Sequence, residues 1–208
     1  MSLEEFRSEV RDRKRFQFGR NWKHFLTNLN EERIKEAECS LKSMLEVKNL
    51  TGKTFLDVGS GSGLFSLAAK NLGADVVSFD YDEASVWCTS ELKNRYYKRD
   101  GTWKVMQGSI LDIKFLETLG KFDYVYSWGV LHHTGEMWRA LDNVVRLVQP
   151  NGSLFIALYN HQQFVSKYWT FVKRTYNKFP ISRPLWIFLH FLYPTLPSIT
   201  LKYLQSTK

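Results

Sequence analysis

The stretch Thr54–Gly63, TFLDVGSGSG, decides how this chain is read. Phe55, Leu56 and Val58 form a short apolar run with an acid, Asp57, near its end, the pattern of a strand buried on both faces of a parallel sheet. Gly59, Ser60, Gly61, Ser62 and Gly63 follow, and Leu64, Phe65, Leu67, Ala68 and Ala69 then open an apolar helix. The order is strand, tight glycine loop, helix. Glycine suits a loop that must turn sharply and let a ligand approach the main chain where a Cβ would collide. A small molecule is therefore expected across the loop.

Spacing narrows the ligand. A phosphate-binding P-loop needs Lys and then Ser or Thr after its last glycine, and Leu64 and Phe65 stand there instead. The dinucleotide pattern G-x-G-x-x-G fails as well, because its third glycine would fall on Leu64. What remains is D-x-G-x-G-x-G, with Asp57 two residues before the first glycine. An acid there repels pyrophosphate and suits a ligand that carries an ammonium or sulfonium charge.

LDVGSGSG, the apolar strand VVSFD ending at Asp80, and FDYVYSWGVLHH together resemble the class I S-adenosylmethionine-dependent methyltransferases, over roughly residues 50–160. The FGRNW stretch near the N-terminus and YNKFP after the core are similar to a quinol-type, ubiquinone-biosynthesis-like subgroup. The resemblance implies an α/β fold, a Rossmann-like parallel sheet in the order 3-2-1-4-5 with helices on both faces, and S-adenosylmethionine as cofactor. It implies that Gly59, Ser60, Gly61 and Gly63 meet the methionine end and that Asp57 helps hold the ammonium through main chain or water. Asp80, 23 residues after Asp57, stands where a carboxylate accepts hydrogen bonds from both ribose hydroxyls. Tyr81 is expected against the adenine face, Ser109 and Ile110 around its edge, and Trp128 at the fourth strand's end, which faces the transferable methyl. The family more often carries Gly-Asp where this chain has Gly108-Ser109, so a hydroxyl replaces the usual carboxylate. Segments before the first strand often close over the cofactor in this family. Phe18, Asn21 and Trp22 are expected to line the site, with Arg20 near the cofactor carboxylate. An aromatic stripe that merely packs on the domain is the structural alternative.

The 208 residues, 44% hydrophobic, suit a globular chain with one sizeable core. Cys39 and Cys88 have neither metal-site nor disulfide spacing, so no metal is expected and a cytoplasmic, reducing compartment is the simpler assumption. The charged N-terminus lacks the apolar core of a signal peptide. Seven of the eight net positive charges fall after residue 159, on Lys167, Lys173, Arg174, Lys178, Arg183, Lys202 and Lys208, with no Asp or Glu among them, leaving +1 for the first 159 residues. Nucleic acid, an anionic membrane or an acidic partner would all suit such a tail.

The organisation expected is an N-terminal helical lid or cap (1–48), a cofactor-binding core (49–160) and a basic amphipathic helical tail (161–208). Asn30 caps a helix over 31–47, Gly73 ends the helix after the glycine loop, Asp82 caps a helix over 83–99, and Asp112 caps a short piece ending near Gly120. Thr134 is expected to cap a helix over 135–148, and Ser153–Tyr159 is expected as the fifth strand after a turn. The two further strands with which this family usually closes its sheet have no counterpart in the sequence. A helix over 164–178 and a Pro-broken apolar segment take their place. The longest apolar run of that segment, Leu185–Tyr193, is far shorter than the roughly 20 residues of a spanning helix. Edge covering or homo-oligomer contact ranks ahead of contact with a membrane surface for this tail.

Ser127, Trp128, Gly129 and Val130 stand where methyltransferases of base amino groups carry an Asn/Asp-Pro-Pro-aromatic turn, and no cysteine is present there to attack a pyrimidine. Nucleic acid is disfavoured and a small-molecule acceptor favoured. His133 is the candidate general base and His132 is expected on the acceptor side, although either is as readily a hydrogen-bonded structural residue. The function expected is methyl transfer from S-adenosylmethionine to oxygen or carbon of a small, apolar or aromatic acceptor. The alternatives are a catalytically silent S-adenosylmethionine-binding partner or sensor and, behind it, an RNA methyltransferase.

Overall fold

The structure, a computed structural model, describes residues 19–159 and 163–192, in two compact units divided between Tyr159 and Asn160. In the first, α1 (Gly19–Thr27) and α2 (Glu31–Leu45) precede β1 (Thr54–Val58). There follow α3 (Leu64–Asn71), β2 (Asp75–Asp80), α4 (Glu83–Tyr97), β3 (Trp103–Gln107), α5 (Ile113–Glu117), β4 (Phe122–Trp128), a 3-10 turn (Leu131–His133), α6 (Met137–Arg146) and β5 (Val148–Ala157). The five strands are parallel and ordered β3-β2-β1-β4-β5, the doubly wound arrangement expected. Among the described residues no sixth strand joins the sheet.

Alternation along β1 divides the interior in two. Phe55 joins one core with Leu26, Ile34, Leu41, Leu67, Cys88, Leu92 and Trp103, on the side of α1 to α4. Leu56 and Val58 join the other, with Phe79, Ile110, Leu116, Val125, Leu131, Ala140 and Val144, on the side of α5 and α6. Each such side chain taken fully out of water contributes about 1.5–3 kcal/mol. Because α1 and α2 bury Leu26, Ile34, Ala37 and Leu41 in the same core as β1, both N-terminal helices are part of this unit's packing.

Local signals set most boundaries. Asn30 accepts a hydrogen bond from the Arg33 N–H at 3.0 Å and starts α2, while Asp82 and Asp112 cap α4 and α5 through Ala84 and Phe115. Two expectations need correction. Thr134 does not cap α6: its hydroxyl donates to the Leu131 carbonyl and accepts from Glu136, closing the 3-10 turn, and α6 begins at Met137. Strand β5 begins at Val148 rather than Ser153, because Phe122 already pairs with Val148 and a bulge with Asn151 at φ 65° absorbs the turn-like residues.

The described residues of the second unit form α7 (Gln163–Lys178), a 3-10 turn (Pro180–Ser182) and α8 (Arg183–Leu192). Val172 is its buried apolar anchor; Trp169 and Tyr176 are half-buried, whereas Tyr168 is exposed.

Candidate cofactor and acceptor site

The glycine loop links the end of β1 to α3. The N–H groups of Gly59 and Ser60 both donate to the Phe79 carbonyl, and Gly61 N–H donates to Asp80 Oδ2 at 2.9 Å. Ser60 Oγ and Thr89 Oγ1 lie 2.8 Å apart, tying the loop to α4. Gly63 has φ 81°, and a Cβ there would stand 2.8 Å from the Thr89 Cα. At Gly61, φ is 55° and a Cβ would stand 3.0 Å from the Trp22 indole nitrogen. Trp22 thus packs over the loop. Neither position tolerates a larger residue without displacement of main chain or indole.

Two carboxyl groups flank the loop. Asp57, 3% exposed, is raised to about 7 by burial, with the Ser66 hydroxyl opposing the shift and Asp80 adding to it. Asp80 is raised to about 6, again by burial, opposed by the N–H groups of Gly61 and Asp82 that donate to its two oxygens. Behind Asp57 runs a buried chain of hydrogen bonds: Trp103 Nε1 to Ser78 Oγ at 2.9 Å, Ser78 Oγ to Ser66 Oγ at 2.8 Å, and Ser66 Oγ to Asp57 Oδ2 at 2.5 Å. An indole N–H only donates, so Ser78 must accept from it and pass its own proton toward Ser66, which does the same toward Asp57. The direction of the chain is therefore set by Trp103, and its polarisation converges on the carboxylate.

At the end of β4 an aromatic wall stands on the same face of the sheet as Asp57, whose register partner is Tyr126. Tyr126, Phe155 and Trp128 stack, with centroid separations of 5.6 Å for the first pair and 6.0 Å for the second, and Phe65 of α3 lies 5.0 Å from Tyr126. The buried Tyr126 hydroxyl has no hydrogen-bond partner among the described residues, and burial, then the Asp57 charge, raises its pKa. Val130 lies against Gly59 and leads into the 3-10 turn that carries both histidines. His132 packs between His133 at 4.1 Å and Tyr159 at 4.6 Å. Neither ring nitrogen of His132 has a partner among the described residues, and burial lowers its pKa.

The residues picked from sequence divide as follows. Asp57, Gly59, Ser60, Gly61, Gly63, Asp80 and Trp22 gather at the loop. Tyr81 follows Asp80 directly and accepts from Gln107 Nε2 through its carbonyl. Ser109 and Ile110 are buried after β3, but the Ser109 hydroxyl accepts from Leu111 N–H and the Ile110 carbonyl from Asn143. Trp128 stands in the aromatic wall, and Asn21 is exposed. Phe18 and the Arg20 side chain lie outside the described residues. Sequence reasoning missed Phe65, Phe155, Val130 and the Ser66–Ser78–Trp103 chain. Strand alternation gave a partial signal, since Tyr126 and Trp128 are two apart and share a face; the pairing of Tyr126 with Phe155 needed the register.

Residues 56–156 match the family model described as a methyltransferase domain. These residues form a methyltransferase domain, similar over that span to the class I S-adenosylmethionine-dependent methyltransferases. This methyltransferase domain is similar to the ubiquinone biosynthesis O-methyltransferase of Pseudomonas paraeruginosa (strain PA7), 31% identical over 55% of this chain and 48% of that protein. It is also similar to the ribosomal protein L11 methyltransferase of Helicobacter hepaticus, 41% identical over 33% of this chain and 21% of that protein. The chain thus spans about half or less of the length of these curated relatives. Among solved structures, magnesium protoporphyrin IX methyltransferase from Synechocystis PCC 6803 with bound SAH superposes with a TM-score of 0.53 at 20% identity, over 71% of this chain and 63% of that one, a likeness in fold.

The methyltransferase domain's own residues fit an adenosyl sulfonium cofactor. Asp57 is a buried acid with no cation beside it among the described residues, as expected of a group that awaits a positive ligand. Asp80 lies at the neighbouring strand tip, where a ribose diol is recognised.

Proposed function

We propose that this chain transfers the methyl group of S-adenosylmethionine to an oxygen or carbon of a small acceptor with an apolar or aromatic body. The observation that carries the acceptor class is the stack of Phe65, Trp128 and Phe155 backed by the buried Tyr126 beside the glycine loop, in which the half-exposed Trp128 and the partly exposed Phe65 and Phe155 offer flat apolar surface to a ring. When bound, S-adenosylmethionine supplies a methyl group already activated by its sulfonium. The Gly59–Gly63 main chain and Asp57 receive the methionine end, and Asp80 accepts from the ribose hydroxyls while Gly61 and Asp82 orient it. Tyr81, Ser109 and Ile110 frame the adenine, and Trp22 covers the loop. Alignment of the acceptor is the chain's main contribution to rate. Where the acceptor is a hydroxyl, His132 takes its proton at Nδ1 or Nε2, being held neutral by burial. His132 replaces His133 as the first candidate because its ring is partly buried with neither nitrogen bonded among the described residues, whereas His133 is exposed.

Calorimetric titration with S-adenosylhomocysteine tests the cofactor, with NADH as control. Micromolar binding of the former alone, weakened at least about tenfold by Asp80→Ala, is expected. A folded chain that does not bind S-adenosylhomocysteine would refute the reading. A screen of phenols and quinols then tests the acceptor. His132→Ala should cut turnover at saturating cofactor by about 100-fold or more and leave cofactor binding intact; unchanged turnover would remove His132 from the chemistry.

A further inference from the structure

The second unit carries an exposed surface that is both apolar and basic. We propose that the hairpin of α7 and α8 docks on an anionic lipid bilayer, with Phe179 and Ile181 at its tip seated at the acyl boundary and Lys178 and Arg183 at the level of the lipid phosphates.

The tip is apolar and outward. Ile181 is 93% exposed, Leu185 57% and Phe179 50%, and Ile187, Phe188 and Leu189 of α8 are exposed as well. So many exposed large apolar side chains on one short hairpin are costly in water and mark a surface that is covered in use. The tip is also braced. Ser182 Oγ donates to the Thr175 carbonyl at 3.1 Å, Arg183 Nε donates to the Tyr176 carbonyl at 3.3 Å, and the Arg183 guanidinium lies 5.3 Å from the Tyr176 ring centroid. Phe171 and Trp186 meet edge to face across the two helices at 6.1 Å. These contacts brace the loop between the helices and so lower the ordering cost of docking.

Charge selects the occupant. Lys167, Lys173, Arg174, Lys178 and Arg183 are all exposed, and no Asp or Glu occurs anywhere after residue 159. A second copy of this unit would set its five described cations against the same five, which opposes self-association through this face. An anionic bilayer answers both features at once, taking apolar side chains below its headgroups and cations at its phosphates. The mode is interfacial: α8 has ten residues, and no helix among those described is long and apolar enough to cross a membrane.

Flotation of the full chain with phosphatidylcholine vesicles, with and without about 30% phosphatidylglycerol, tests this. Binding at least about tenfold stronger to the anionic vesicles, and largely lost in 0.5 M salt, is expected. Ile181→Asp should lower it about tenfold with the circular dichroism spectrum and S-adenosylhomocysteine binding unchanged, whereas Ile181→Leu should retain it. Equal binding to neutral and anionic vesicles, or an Ile181→Asp protein that binds as well as the original, would overturn the proposal. So would a dimer in sedimentation that Ile181→Asp dissolves while the original chain ignores vesicles, which would make a second copy the occupant. Unchanged cofactor binding in the variant keeps this result separate from that of the methyl-transfer reading.

Discussion

At Asp57 the chain buries a carboxyl group whose pKa rises from an ordinary 3.8 to about 7. Between those values the folded protein keeps a proton that the unfolded chain releases. The stability tied to that proton is complete below the ordinary value and is lost as pH rises through about 7. Without ligand, the melting temperature should therefore fall from pH 5 to pH 8, with Asp80, raised to about 6, adding to the slope in the lower part of the range. Asp57→Asn keeps an oxygen for the Ser66 hydroxyl and removes the buried charge. It should raise the melting temperature at pH 8 by several degrees, at roughly 2–4 °C per kcal/mol for a chain of this size, and weaken S-adenosylhomocysteine binding. Thermal melts at both pH values check this, and identical slopes for the two proteins would show that Asp57 is not the titrating group. Stability given up for ligand binding is common at such sites.

Among the elements, α2 shows a local conflict that packing overrides. It ends at Glu46, a non-glycine residue in the left-handed region at φ 55°, whose N–H reaches back to the carbonyls of Lys42 and Ser43. Glu46 is exposed, so no side-chain contact in the interior compensates for the strain. Glu46→Gly relieves it and should stabilise the fold by about 0.5–1 kcal/mol, read as a shift in the urea midpoint with an unchanged slope; a lower midpoint would mean that the side chain contributes more than the backbone strain costs. At the other end of the sheet, β4 and β5 give their ends to the aromatic wall rather than to packing alone. Trp128 remains 47% exposed within that stack, as suits a surface that receives a ring.

On the scale of the whole molecule, chemistry and charge are segregated. Both buried clusters, all five strands and every candidate site residue among those described lie before Asn160, while seven of the eight net charges lie after it. A chain ending at Tyr159 should accordingly lose the helical signal of α7 and α8 yet melt cooperatively and keep its affinity for S-adenosylhomocysteine, and lose its preference for anionic vesicles. Loss of cofactor binding in a truncated chain that remains folded would show that the tail completes the site.

The sequence by itself determined the glycine loop and the positions of Asp57 and Asp80, because each is written in short-range periodicity and spacing, and it determined the strand order through the family resemblance that those motifs carry. An apolar run buried on both faces makes β1, glycine fills the positive-φ sites of the loop that follows at Gly59, Gly61 and Gly63, and an acid ends β2. The boundary errors at Thr134 and Val148 arose where hydrogen bonding in the 3-10 turn and the pairing of Phe122 with Val148 outweighed local turn signals. Only the tertiary structure decided that Trp103, 46 positions from Asp57, sets the direction of its hydrogen bonds, that Phe65 and Phe155 join Tyr126 and Trp128 in one wall, and that His132 is the shielded histidine of the pair. These depend on strand register and on burial by residues remote in the chain, and both come into being only when the sheet is assembled.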